Sequence, residues 1–276
     1  MKIIADTPTL YSPAEGRELG ISIIPACTII GDKVYRDYED IDSESFLQKI
    51  AEGETPTTSQ PAIGDILEIF EECNEEMLVL PIGDGLSGTY QNMEGAKNMI
   101  PDNDHIHIVD TKTLAGPQRY LVHKAMKLRD EGKDILTIIQ KLKESIETSV
   151  SFVIPADFNF LKRSGRLTPL AAKISTLIKI VPVMTQTEDK RRITPFVIKR
   201  SKRKAVEAII EHLKYLGVDE NYIISISHGG VIEDAKEVMS QIKEFFARTE
   251  MQLFMLAPSL VTHGGPGCIV IQAIRK

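Results

Sequence analysis

At 276 residues with 42% hydrophobic content, the chain is long enough to bury a sizeable core and has the composition of a soluble globular protein. A formal net charge of -6 and a sequence pI near 5.6 argue against nucleic-acid binding, which needs a basic surface. Cys27, Cys73 and Cys268 are odd in number, far apart and without C-x-x-C spacing, so they indicate neither a disulfide framework nor a zinc site and fit a reducing cytoplasm.

The N-terminus MKIIADTP meets an acid at Asp6 after too few apolar residues for a signal peptide, and no stretch is long and apolar enough to span a bilayer. IIAD and ISIIPACTII read as strands, followed by a helix from about Asp42 to Ala51 with Phe46, Leu47 and Ile50 on one face. After TPTTSQ, Ile63, Ile66, Leu67 and Phe70 keep helical spacing. Ser59 is the candidate N-cap and Pro61 lies near the first turn, which would place TTSQP on a helix N-terminus.

MLVLPIG is the next strand, SGTYQNMEGAKNMI a helix, and HIHIVDT a strand. Helices are predicted from about Leu114 to Arg129 and from Ile135 to Ile146. Near Ser149 the character changes: SVSFVIP precedes a short helix, FNFLKRSGRL, and then TPLAAKISTLI with Thr168 as cap and Pro169 at the first position. IKIVPVMTQT and RRITPFVIK, joined by EDK, form a hairpin. Two βα alternations then run through YIISIS and MQLFML, and SLVTHGGPG leads into a last strand, CIVIQAI. The expected fold is α/β with two domains: 1–150 as a parallel sheet flanked by helices and 151–276 as an α/β domain with a mixed sheet. The basic stretches KRRI and KRSKRK read as a solvated hairpin and helix start.

Four polar loops fall at element junctions: TPTTSQP at 55–61, GDGLSGT at 83–89, KRSGRL at 162–167 and VTHGGPG at 261–267. Thr58 and Ser87 offer hydroxyls, Arg166 a fork of charged donors and His263 a ring that titrates near neutral pH. Such a set suits an anionic oxygen group, a carboxylate or phosphate. Each residue alone has a plainer role as cap, helix start, surface charge or bonded loop residue. A hydrolase using Ser87 and His263 is the rival reading, but GLSGT has Thr89 where a nucleophile elbow needs its second glycine. No phosphate-cradle motif is present. His105 and His107 alternate on one strand face without the carboxylates that would complete a metal site.

Taken in order, TTSQP, GLSGTYQN, VDT, the F-x-x-L-x-x-x-G-R-L helix and TH-x-GPG resemble the DegV family of fatty-acid-binding proteins over essentially the whole chain. The resemblance implies a fatty acid held in a cleft between the two domains, its carboxylate on Thr58 and Ser87. Arg166 and His263 would lie beside the head group where it is phosphorylated, with Ser59, Gly88, Thr89 and Gly265 in supporting loops. It also implies a cytoplasmic carrier, not an enzyme, with no cofactor and no metal, which presents the carboxylate to a partner fatty-acid kinase and makes at most transient membrane contact. A looser likeness extends to the glycerone-binding domain of dihydroxyacetone kinases, which leaves a sugar- or glycerone-binding module as a further alternative. The family's opening D-S-T-x-D becomes ADTPTLYS here, retaining Asp6 and Thr7, and KRSGRL replaces the commoner paired glycines. Leu170, Ile174, Leu177, Ile178, Val183 and Met184 are apolar candidates for the tail channel or for ordinary core.

Overall fold

The apolar runs IIA at 3–5 and MLVL at 77–80 have no polar face to show to water. Both are fully buried in a parallel sheet, the setting in which strands lose alternation. The computed structural model describes residues 1–72, 75–173 and 180–276. In chain order its strands are β1 Lys2–Asp6, β2 Ser22–Ile24, β3 Cys27–Ile30, β4 Lys33–Arg36, β5 Thr57–Ser59, β6 Met77–Leu80, β7 Ile106–Ile108, β8 Val150–Ile154, β9 Val181–Gln186, β10 Ile193–Lys199, β11 Tyr222–His228, β12 Glu250–Met255 and β13 Ile269–Arg275.

Among the described residues, three sheets result. The first is parallel in the order β2-β1-β6-β7, so the chain reverses its direction of travel across the sheet between β1 and β6. Loops leaving the carboxyl ends of two such strands open a crevice, and the 81–88 loop leaves β6 there. The second is mixed, in the order β10-β9-β8-β13-β11-β12, with only β11 and β12 parallel. The third is a small antiparallel sheet, β4-β3-β5. The fold is the expected α/β arrangement of one parallel and one mixed sheet.

The helix Ala115–Asp130 lies between the two large sheets. Its Leu121, Val122 and Ala125 share one core with Ile3, Ala5, Leu78 and Leu80 from the first sheet and with Ile223 and Ile274 from the second. At Gly116 the approach is so close that a Cβ would stand 2.0 Å from Ser225 Oγ of β11. A second core fills the outer face of the mixed sheet under the helices Lys202–Tyr215 and Ile232–Lys243. Among the described residues, no helix is long and apolar enough to cross a membrane.

Local structure departs from the sequence expectations in places that matter for the site. The run ISIIPACTII does not form one strand: it breaks at Pro25–Ala26 into β2 and β3, which join different sheets, because proline cannot donate to a ladder. Ser59 does not cap a helix. With Thr57 and Thr58 it forms β5, opposite Cys27, Thr28 and Ile29, where β-branched residues fit; the following helix, Ile63–Glu71, is preceded by Ala62 with no side-chain cap. The loop expected at 261–264 is the end of a seven-residue helix, Pro258–Gly264, started by proline in its first turn. Thr168 does cap, accepting from Ala171 N–H at 3.2 Å, and among the described residues a 3-10 turn follows at Ala171–Lys173. The rest of that expected helix, with Ile174, Leu177 and Ile178, lies outside the described residues, as does Cys73.

The basic hairpin is less solvated than its composition suggests. Lys190 Nζ is drawn in to Ile146 O at 2.6 Å and Ser149 Oγ at 3.0 Å, and burial pulls its amine down to about 8. Arg191 forms an ion pair with Asp84 of the 83–89 loop. The turn between β9 and β10 is thereby tied to that loop.

Candidate functional site

Thr58 is the middle residue of β5, paired in register with Thr28 of β3. His263 is the next-to-last residue of the Pro258–Gly264 helix. Although 205 positions apart in sequence, Thr58 Oγ1 and His263 Nε2 share a hydrogen bond of 3.0 Å. The ring also lines an apolar cavity. Burial, reinforced by the positive charge of Arg166, holds its pKa down at about 3, so the imidazole is neutral at physiological pH. This corrects the expectation of a ring that titrates near neutral pH: the positive charge beside the neutral ring is that of Arg166.

Arg166 follows the short helix Phe158–Arg163, after Ser164 and a left-handed Gly165 at φ +72. Its Nε–H donates to Leu86 O at 3.0 Å, and a second guanidinium N–H donates to Ser164 O. Burial lowers its pKa somewhat, but an arginine stays charged in proteins. Two spaces meet at this side chain. One is the apolar cavity, about 100 Å³, walled by residues that include Ile82, Leu86, Leu161, Met184 and Leu260. The other is an open polar cleft of about 400 Å³ bordered by Asp84, Gly85, Ser87, Gly88, Arg191 and Arg192. Leu86, Ser164 and Arg166 border both.

Ser87 therefore stands on the polar side. Its Oγ shares a 2.9 Å hydrogen bond with Thr89 Oγ1 and accepts from Thr89 N–H at 3.2 Å, which shapes the start of the helix Thr89–Lys97. A nucleophile–base pair is not what the fold builds, because His263 Nε2 is engaged by Thr58 and Ser87 Oγ by Thr89. Among the described residues, no group of three or more His, Cys, Asp or Glu side chains could hold a metal ion.

The supporting residues weld the four loops together. A Cβ on Gly88 would fall 1.9 Å from Gln60 Nε2, so the 83–89 and 55–61 loops touch there. Asn92 Nδ2–H adds a bond to Pro61 O at 2.8 Å. Gly265, at φ +81, lets the turn after the His263 helix lie against Phe160, 2.7 Å from where its Cβ would be, and so joins that helix to the one preceding Arg166. Thr89 is buried, whereas Ser59 is exposed at the end of β5.

Of the apolar residues named as channel candidates, Met184 lines the cavity. Val183, its neighbour on β9, points to the opposite face and into the core under the helices, as a period of two requires. Leu170 is 68% exposed. The walls that sequence reasoning missed, Ile82, Leu86, Leu161 and Leu260, sit within or beside the recognised motifs. Adjacency to those motifs was the available signal.

A family model described as "Uncharacterised protein, DegV family" matches residues 1–276. The DegV domain-containing protein YteA of Lactococcus lactis subsp. lactis is 29% identical to this chain, with 100% of this chain and 98% of that protein covered. Among solved structures, the chain is similar to a DegV family protein of Thermus thermophilus described for its fatty acid binding, with TM-score 0.89 and 26% identity over 100% of this chain and 99% of that one. It is also similar to DegV of Bacillus subtilis, described as a fatty acid binding protein, with TM-score 0.86 and 26% identity over 100% and 99% of the two chains. Matched by that family model over residues 1–276, the chain belongs to the DegV family.

Proposed function

We propose that the protein is a cytoplasmic, non-enzymatic carrier that binds one long-chain fatty acid between residues 1–150 and residues 151–276, taken as two domains, and presents its carboxylate to a fatty-acid kinase that makes the acyl phosphate. The observation that carries this reading is the seam at Arg166, where an apolar cavity meets a polar cleft beside the Thr58–His263 pair. A fatty acid is the simplest molecule with that division of chemistry. The structural neighbours from T. thermophilus and B. subtilis, described as fatty acid binding, support it.

The tail supplies the affinity. At about 0.8 kcal/mol per methylene, a sixteen-carbon chain has a gross drive on the order of 12 kcal/mol before association costs. The cavity, about 100 Å³, is smaller than the roughly 300–1,000 Å³ usual for small-molecule sites, so the chain enters by displacing wall side chains. The head group supplies orientation: its carboxylate takes hydrogen bonds from the hydroxyls of Thr58 and Ser87, with the Arg166 guanidinium as the nearby positive charge. An anion there also favours protonation of His263, against the burial that otherwise keeps it neutral. Phosphorylation adds negative charge, and Arg166 with a newly protonated His263 stabilises it.

Delipidated protein titrated with fatty acids of about fourteen to eighteen carbons, alongside native mass spectrometry of freshly purified protein, tests this. One bound fatty acid per chain is expected. Recovery of only water-soluble ligands, with no fatty-acid binding after delipidation, would overturn the reading.

A further inference from the structure

Asp37 lies just beyond β4, outside the cavity wall, and is completely buried. Its own N–H donates to Ala26 O at 2.9 Å, extending the pairing of Cys27 with Arg36 between β3 and β4. Its Oδ2 accepts two hydrogen bonds, from Ser259 N–H at 3.2 Å and from the Thr7 hydroxyl at 3.3 Å. The Thr7 Oγ1 in turn accepts from Ala26 N–H at 2.9 Å.

Two routes lead from that one oxygen into the head-group site. Ser259 is the second residue of the Pro258–Gly264 helix, and His263 follows one turn later on the same face. Ala26 leads directly into β3, whose Thr28 is paired with Thr58 of β5. The helix has only seven residues, so its first turn and His263 are one turn apart.

We propose that Asp37 is a positioning residue of the head-group site, which holds the His263 helix against the small sheet and so sets the contact between His263 and Thr58. What the arrangement needs from Asp37 is an acceptor, not a charge: among the described residues no cation bonds the carboxylate, and burial raises it to about 7. The retained Asp6–Thr7 pair of the opening motif finds its place in the same scheme. Thr7 bridges Asp37 to Ala26, while Asp6 accepts from the N–H of the cavity residue Ile82 at 3.1 Å.

The palmitate arm of the test rests on the proposed function; the spectroscopic arm does not. In lipid-free protein the His263 ring resonances, assigned with His263→Gln, are expected to move in Asp37→Ala and to stay in place in Asp37→Asn, whose amide oxygen can accept both bonds. Palmitate affinity should fall about tenfold in Asp37→Ala and remain close to wild type in Asp37→Asn. The loss should largely vanish when Asp37→Ala is made in a Thr58→Val background, since contacts in one chain of interactions are non-additive. Unmoved His263 resonances, or losses that simply add, would overturn the proposal. If Asp37→Ala does not fold, Thr7→Val removes one arm and is held to the same resonance shift and the same non-additivity. Absence of palmitate binding by the wild type would overturn the ligand reading and leave the resonances to decide the role of Asp37.

Discussion

Replacing Thr58 by valine keeps the β-branched shape that suits β5 and removes one hydroxyl. That hydroxyl is bonded to His263 Nε2 at 3.0 Å in a half-buried setting. An intramolecular hydrogen bond of this kind contributes about 1 kcal/mol net, and a buried partner left unsatisfied costs about 1–3 kcal/mol. For a chain of this length, 1 kcal/mol corresponds to roughly 2–4 °C in Tm, so Thr58→Val should melt a few degrees below wild type. Affinity responds more strongly, because the hydroxyl also faces the carboxylate in the proposed complex. Losing a hydrogen bond to a charged group costs about 1.5–3 kcal/mol, a tenfold to hundredfold rise in Kd. Isothermal titration of delipidated protein with palmitate measures it. The control is Thr57→Val, one residue along β5 and exposed on the opposite face, which should bind as wild type does. Palmitate binding by Thr58→Val within about twofold of wild type would show that the hydroxyl takes no part in head-group recognition.

Arg166→Ala and His263→Ala should lower kinase-dependent acyl phosphate formation much more than they lower lipid affinity; equal losses in a reconstituted kinase assay and in titration would show that no such division exists. Ser87→Ala should weaken fatty-acid binding without abolishing any ester turnover, and serine-dependent hydrolysis of acyl esters by the wild type would instead favour an enzyme. Burial raises both Asp6 and Asp37 to about 7, so the folded state binds their protons more tightly than the unfolded chain does. The stability they contribute is full below about pH 4 and is lost as the pH climbs to 7. His263, pulled down to about 3, works in the opposite sense and costs stability as the pH drops below about 6.5. Urea unfolding from pH 5 to 8 should therefore show a weaker decline with rising pH in Asp37→Asn than in wild type, and an identical slope would contradict the assignment. Gly116→Ala drives a methyl group into Ser225 and should cost about 1–3 kcal/mol, with recovery in a Gly116→Ala, Ser225→Gly double variant; a single variant as stable as wild type would mean that the two sheets can move apart there.

How much of this was legible in the chain depends on the range of the forces involved. Strands such as MLVL and YIISIS and helices such as Ile135–Thr148 were readable because periodicity and capping are local, and Thr168 caps where the sequence suggested. The four polar loops were visible as glycine- and hydroxyl-rich junctions. Their assignment to one ligand came from a family resemblance, since nothing local relates Thr58 to His263 across 205 positions. Tertiary structure decided the rest. Proline at position 25 split one apolar run between two sheets, and pairing with β3 turned TTS from a helix cap into a strand. The register of β9 sent Met184 to the cavity and Val183 to the core. Burial beside Arg166 made His263 neutral, and the crossing of β4, Thr7 and the Pro258–Gly264 helix placed Asp37 where it can hold the site from behind. A residue's type and spacing follow from local chemistry, whereas its desolvation and its distant partners exist only once the chain has folded around it.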